Sequence, residues 1–237
     1  MRVSVVLPTF NEKGNIIELI EQIVKQLNNP AFDYEIIVVD DNSPDKTGEI
    51  CKKYFLKNKR VKIYVRTEER GFASAIYYGM RKSNGDTIIV MDTDFSHDPN
   101  LIPTMLSKIK KCDIVIGSRY AKHGGGEDKK RYLMSKIFNM YLRYLLRINI
   151  SDFLFGYYCV NKNFLLKNGL LNKNIFSGFG DYFIRLLYYM NKSGGTFLEI
   201  PAFYKSRVYG ESKSNLINML YTYTRTSLSL LMHDLSD

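Results

Sequence analysis

Asp92 and Asp94, separated by Thr93, stand directly after an apolar run that ends in Met91. Two carboxylates at i and i+2 past a strand end can share a divalent cation and the diphosphate that it bridges. The triplet alone is weak, because 14 Asp in 237 residues give about 0.8 such patterns by chance. The same loop reads equally as an acidic cap on the next helix, with Ser96 or Asp98 before Pro99 as the capping residue. Asp40 and Asp41 end another apolar run and open the segment Asp-Asp-Asn-Ser-Pro. That composition favours a turn whatever its function, and it also offers a carboxylate to a nucleotide base or ribose. Glu12, after Pro8-Thr9-Phe10-Asn11, belongs to the same kind of loop or is simply an acid at a helix N-terminus. Arg119, Arg131, Arg207 and Lys213 are candidate phosphate ligands, since an Arg fork matches phosphate oxygens at two points. With 34 basic residues, most must be solvated surface. His97, His123 and His233 are isolated in sequence and receive no role.

These loops need a scaffold, and the first 120 residues supply an alternation of strand and helix. Residues 3–7, 35–39, 61–65, 87–91 and 113–116 are short β-rich runs. Residues 15–27 place Ile16, Leu19, Ile20, Ile23, Val24 and Leu27 at helical spacing. Residues 47–55, 71–82 and 99–110 are the other helical segments. Strands separated by helices of this length predict βαβ units and a mostly parallel central sheet flanked by helices. In such a sheet ligands sit beyond the C-terminal strand ends, where residues 8–12, 40–45, 92–98 and 117–120 all fall. Beyond residue 120 the pattern changes. Residues 122–131 read as a glycine-rich, basic surface loop, and 135–148 as a helix. Residues 151–171 are aromatic and ambiguous, 182–190 a helix, 196–201 an edge strand, and the last twenty residues an amphipathic helix. No internal repeat stands out.

Composition narrows the functional classes. The formal net charge is +10, with 45% apolar and 24% charged residues, which is ordinary globular composition. Such a charge attracts anionic lipid, nucleic acid or phosphorylated small molecules. Cys51, Cys112 and Cys159 lie far apart with no CxxC pair, so neither a disulfide framework nor a zinc cluster is expected. GxGxxG is absent from the first βα turn and GxxxxGK[ST] from the chain, which disfavours a nicotinamide enzyme and a P-loop NTPase. No signal peptide is expected at the N-terminus. The two most apolar stretches, 134–150 and 216–235, are interrupted by Arg143, Arg147 and Arg225, so no transmembrane helix is expected either.

Five segments then occur in order: VVLPTFNE (5–12), EIIVVDDNSPD (35–45), TIIVMDTDFSHDP (87–99), DIVIGSRY (113–120) and RVYGESK (207–213). Over roughly residues 2–213 the chain resembles the family 2 glycosyltransferases with the Rossmann-like A-type fold. Within them it is most similar to the dolichol-phosphate (polyprenyl-phosphate) mannosyltransferases. The resemblance implies one glycosyltransferase domain over 1–237. Residues 1–120 would form the nucleotide-sugar half, 121–215 the acceptor half and 216–237 an amphipathic C-terminal helix. It implies that Pro8, Phe10, Glu12, Val39 and Asp41 hold the guanosine of GDP-mannose, and that Asp92, Thr93 and Asp94 contact its diphosphate and sugar. Mg²⁺ or Mn²⁺ would sit among Asp92, Asp94 and Ser96. Arg119 and Arg131 would bind the acceptor phosphate, with Arg119 also near the donor, and Arg207 and Lys213 would close over the donor. The catalytic set is then Asp92, Asp94, Arg119 and Arg131. The chain departs from the family pattern where Ser96 replaces Gln, Phe10 replaces Tyr and Tyr158 replaces an Arg. Asp181 is a loose match to the family's acidic position.

The implied reaction is inverting transfer of mannose from GDP-mannose to dolichyl or polyprenyl phosphate, giving a β-linked product. The alternatives are a polyprenyl-phosphate glucosyltransferase using UDP-glucose and a family 2 enzyme with a hydroxyl acceptor, for which Asp181 is the candidate base. A non-catalytic basic binding module is a further alternative. A row of carboxylates at strand ends would repel a phosphate backbone, so nucleic acid is not expected as a partner. The expected location is peripheral, on the cytoplasmic face of a membrane (endoplasmic reticulum in a eukaryote, plasma membrane in a prokaryote). The helices at 134–148 and 216–235 would rest on the bilayer with Lys122, Lys129, Lys130 and Arg131 beside them, or small membrane subunits would hold the chain there. The opposing expectation is that both helices simply pack on the sheet.

Overall fold

The computed structural model describes residues 1–205 and 216–234. Arg207 and Lys213 lie outside the described residues. The chain begins with β1 (Arg2–Thr9), α1 (Ile16–Leu27), β2 (Asp33–Asp40), α2 (Thr47–Tyr54), β3 (Val61–Val65), α3 (Phe72–Lys82) and β4 (Thr87–Val90). It continues through α4 (Ile102–Lys108), β5 (Ile114–Ser118), β6 (Gly125–Gly126), α5 (Lys129–Leu146), β7 (Tyr158–Asn161) and α6 (Lys162–Lys167). Last come α7 (Asp181–Lys192), β8 (Phe197–Pro201), β9 (Phe203–Tyr204) and α8 (Leu216–Asp234).

Seven strands form one sheet in the order β3-β2-β1-β4-β7-β5-β8. All neighbours are parallel except β7, which runs antiparallel between β4 and β5. Both sheet faces are covered, so the inner strands are apolar without interruption. Alternation along each strand divides the core in two. Val6, Ile88, Val90, Tyr158 and Val160 pack towards α3, α5, α7 and α8. Val3, Val5, Leu7, Ile89, Met91 and Cys159 pack towards α1, α2 and α4. Of the stripe on α1 expected from its spacing, Ile16, Leu19, Ile20, Ile23 and Leu27 are buried and Val24 is partly buried.

Two expectations are corrected. Residues 122–131 are not all loop. Gly125 and Gly126 pair in parallel with Phe203 and Tyr204, and a Cβ at Gly125 would lie 2.9 Å from the Phe203 ring. The helix expected to begin at Ser135 begins at Lys129, because the Asp128 side chain caps it by accepting the Arg131 amide at 3.0 Å. Lys129, Lys130 and Arg131 therefore form the first turn of α5. The ambiguous segment 151–171 supplies β7 and α6, and α6 is capped by Asn161.

Candidate active site

The loops after β1 and β2 are stitched together at the C-terminal edge of the sheet. The Asn11 amide donates to Ser43 Oγ at 2.9 Å, the Glu12 amide to Thr47 Oγ1 at 2.9 Å and the Lys13 amide to Asp45 Oδ2 at 3.0 Å. Asn11 and Asn42 adopt φ of 62° and 52°, a conformation that short polar side chains tolerate. Pro8 is paired in register with Val39. Pro8, Phe10, Glu12, Val39 and Asp41 thus sit on neighbouring strand ends, with the Phe10 ring 39% exposed. Asp40 is spent within its turn. It accepts the Ser43 hydroxyl at 2.5 Å and the Ser43 amide at 3.0 Å.

Asp41 is half of a buried ion pair. Its Oδ1 accepts Arg66 Nε at 2.7 Å and also Arg66 Nη2. Its Oδ2 accepts the Gly71 amide at 2.7 Å. Arg66, at the end of β3, also reaches the Gly71 carbonyl at 3.0 Å and Ser74 Oγ at 3.1 Å. Asp41 is therefore a carboxylate already aimed by Arg66 and by the start of α3. Sequence reasoning missed Arg66, although it follows a strand end like the other site residues.

The carboxylate loop follows β4. Thr93, Asp94 and Ser96 are buried, whereas the Asp92 side chain is 33% exposed. The Ser96 amide donates to Asp94 Oδ1 at 3.0 Å, and Phe95 holds φ at 64°. Asp98 accepts the Asn100 amide at 2.9 Å and caps the turn that leads into α4. Among the described residues no three His, Cys, Asp or Glu gather as a metal cluster. Asp92 and Asp94 nevertheless fit a hard cation. Mg²⁺ is commonly held by one or two carboxylates, with substrate phosphates and water completing its shell. His97, passed over in the sequence, lies inside this loop: the Asp92 amide donates to its Nδ1 at 2.9 Å. Burial pushes its pKa down to about 4, against the pull of Asp94.

Arg119 follows β5 and is also paired. Its Nε and Nη2 donate to Asp152 at 2.8 Å each, and its amide to Asp152 Oδ2 at 3.0 Å. Burial disfavours its charge, but Asp152 outweighs burial and raises its pKa. Its guanidinium carbon lies 5.3 Å from the centre of the Tyr120 ring and 5.2 Å from that of Phe155. Glu199 of β8 fixes the backbone beneath it by accepting the Ser151 and Asp152 amides at 2.9 and 3.1 Å. Arg119 therefore stands at the site as part of a neutral pair, and no local sequence pattern marks Asp152 as its partner.

The α8 helix meets the site through Tyr223, which is 4% exposed. A Cβ on Gly180 would stand 2.2 Å from its hydroxyl. Burial raises the phenol's pKa, Asp181 and Asp92 push it further up, and Arg131 opposes them. One side chain thus senses Asp92 after β4, Asp181 at the start of α7 and Arg131 on α5. Asp181 accepts Arg185 Nη1 at 2.5 Å, Thr226 Oγ1 at 3.1 Å and the Phe179 amide at 2.9 Å.

Residues 4–171 match the family model described as Glycosyl transferase family 2. The chain is 37% identical over 218 residues to the dolichol-phosphate mannosyltransferase of Pyrococcus furiosus, covering 90% of this chain and 59% of that protein. It is 29% identical to the undecaprenyl-phosphate mannosyltransferase of Micrococcus luteus, covering 90% and 87%. The chain thus spans about three-fifths of the first relative's length. Among solved structures, it resembles a Mycobacterium tuberculosis glucosyl-3-phosphoglycerate synthase in complex with Mn²⁺, UDP-glucose and phosphoglyceric acid. The TM-score is 0.69 at 19% identity, over 97% of this chain and 79% of that one. That likeness carries the fold, the A-type glycosyltransferase fold that the family resemblance implied. On the family match and the Pyrococcus relative together, the chain belongs to glycosyl transferase family 2.

Proposed function

We propose that this chain transfers mannose from GDP-mannose to dolichyl or another polyprenyl phosphate with inversion, using Mg²⁺ or Mn²⁺. The observation that carries the choice of a phosphate acceptor is the state of Asp181. A hydroxyl acceptor needs a general base, and Asp181, the candidate for that role, is buried in an ion pair with Arg185. A phosphate monoester has a second pKa of about 6, so it is largely ionised at neutral pH and attacks without a base. The relatives named for dolichol-phosphate and undecaprenyl-phosphate transfer support the same acceptor class.

In this reading Pro8, Phe10, Glu12, Val39 and Asp41 receive the nucleoside, with Arg66 holding Asp41 in place. Asp92 and Asp94 hold the cation, with Thr93 and Ser96 beside them. When bound, the cation supplies charge neutralisation on the leaving diphosphate. Arg131, in the first turn of α5, and the Arg119–Asp152 pair orient the acceptor phosphate. Arg207 and Lys213, outside the described residues, act on the donor.

The acceptor is a lipid, and the helices flanking the site present apolar stripes. On α5, Leu133, Ile137, Met140 and Tyr144 are 58%, 61%, 62% and 87% exposed and recur every three or four residues. On α8, Tyr221, Leu228 and Met232 are exposed in the same manner. Leu142, Leu146, Tyr223 and Leu230 face the core, so packing on the sheet holds for one face of each helix, and the exposed face supports the bilayer reading. No helix among the described residues is long and apolar enough to cross a membrane. The arrangement supports peripheral seating on the cytoplasmic leaflet, alone or with small membrane subunits, aided by the +10 charge.

The test is a thermal-shift titration with GDP, UDP, GDP-mannose and UDP-glucose, each with and without Mn²⁺, followed by transfer to polyprenyl phosphate. A bound ligand raises the midpoint in a dose-dependent manner. A metal-dependent rise with GDP species that Asp92→Asn abolishes, with mannose transferred to lipid, is the expected result. A rise confined to UDP species would replace this reading with glucosyl transfer. Loss of activity in Asp181→Asn without loss of stability would favour a hydroxyl acceptor.

A further inference from the structure

A single histidine joins the carboxylate loop to the segment that seats Arg119. His97 Nδ1 accepts the Asp92 amide at 2.9 Å. An amide N–H only donates, so Nδ1 is the unprotonated ring nitrogen. Nε2 then carries the proton and donates to the Phe155 carbonyl at 2.9 Å. The ring is 1% exposed. It lies flat on Tyr157 (centroids 4.8 Å apart, planes at 6°) and edge-on to Phe155 at 4.5 Å. The Tyr157 hydroxyl returns to the same loop by donating to the Asp98 carbonyl at 2.9 Å. Phe155 in turn lies against Arg119, whose partner Asp152 is three residues earlier. The carboxylate loop also contains Phe95 in a left-handed conformation, which is strained for a residue with a side chain and persists only where the surroundings impose it.

We propose that His97 is a positioning residue. Through Nδ1 it fixes the Asp92 amide and so aims the Asp92 carboxylate, and through Nε2 it registers that loop against the 152–157 segment. The proposal rests on reading Asp92 and Asp94 as the cation-holding pair. Partners that orient metal ligands from behind are typically worth about 10- to 100-fold in metal affinity. Nδ1 alone holds the Asp92 amide, whereas Nε2 holds the Phe155 carbonyl and stands 3.8 Å from Asp92 Oδ2, and substitutions can separate these contacts. Asn places an acceptor near the Nδ1 position, Gln places its amide near the Nε2 position, and Phe keeps only the ring.

The experiment titrates Mn²⁺ into the full chain with GDP present, following free Mn²⁺ by electron paramagnetic resonance, for wild type, His97→Asn, His97→Gln and His97→Phe. The expected result is a loss of about 10- to 100-fold in Mn²⁺ affinity for Gln and Phe and near-wild-type affinity for Asn, with matching thermal midpoints for Asn and Gln. Equal weakening in Asn and Gln, or wild-type affinity in Phe, would overturn the proposal while leaving the cation site standing. Wild-type protein that binds no Mn²⁺ with GDP or with UDP would overturn the cation reading and this proposal together. If His97→Phe does not fold, the comparison of Asn with Gln decides.

Discussion

Arg119 and Asp152 hold each other through two 2.8 Å side-chain bonds and a 3.0 Å bond from the Arg119 amide. Asp152 is fully buried and Arg119 is 8% exposed. Removing one member of such a pair strands the other charge, at a cost of about 3–5 kcal/mol. Asp152→Ala should therefore lower the urea midpoint by a corresponding amount. Arg119→Lys should fare little better, because an ammonium cannot make the forked contact. An unchanged midpoint in Asp152→Ala would show that the pair contributes nothing to stability.

Gly180 is shaped by a side chain 43 residues away. Its φ is −68°, so any residue suits its backbone, and the constraint is space for the Tyr223 hydroxyl. Gly180→Ala should displace Tyr223 from between α5 and the start of α7, with a cost of about 1–3 kcal/mol for overpacking. Tyr223→Phe in the same background should relieve most of that cost, because it removes the hydroxyl and leaves the nearest ring carbon 3.3 Å from the new Cβ. Thermal melts of the single and double variants check this, and additive losses would mean that the two residues do not compete for space.

The parts legible in the sequence were those with short-range signals. The stripe on α1, the apolar runs of the parallel strands and the carboxylates past strand ends all lie within a few residues of one another. β7 was illegible because a four-residue strand with Tyr158, Cys159 and Val160 all buried, flanked by aromatics, shows neither period. The start of α5 was misplaced because glycines at 124–126 read as loop, while Asp128 caps a helix that periodicity alone begins later. The pairing of Asp41 with Arg66 spans 25 residues and that of Arg119 with Asp152 spans 33. No local pattern encodes either. His97 appeared isolated because its partners are a backbone amide and a backbone carbonyl.

One acid-sensitive group lies at the opposite end of the sheet from the site. Burial raises the Glu35 carboxyl, but Lys62, the Asn84 amide and the Ser4 hydroxyl together outweigh it and hold its pKa below the ordinary value of 4.5. A carboxylate with a depressed folded pKa adds stability above its unfolded pKa and loses it as pH falls through the folded one. The wild-type urea midpoint should thus drop as pH falls below about 4.5. Glu35→Gln should be less stable than wild type at neutral pH, and the gap should narrow in acid. A gap independent of pH would remove Glu35 from the acid response.

The exposed stripe of α5 separates folding from lipid access. Ile137 is 61% exposed, so Ile137→Glu should change stability by no more than about 0.5 kcal/mol. The same substitution places a charge on the face proposed to meet the acyl boundary, where binding follows buried apolar area and attraction to anionic lipid. It should reduce sedimentation with anionic vesicles and slow transfer to a long polyprenyl phosphate in those vesicles. Turnover with a short, water-soluble prenyl phosphate should stay at the wild-type level, because Asp92, Arg119 and Arg131 are untouched. Equal loss with both acceptors would place Ile137 in the acceptor site itself. Equal retention with both, alongside wild-type sedimentation, would take α5 out of the membrane contact and leave α8 to make it.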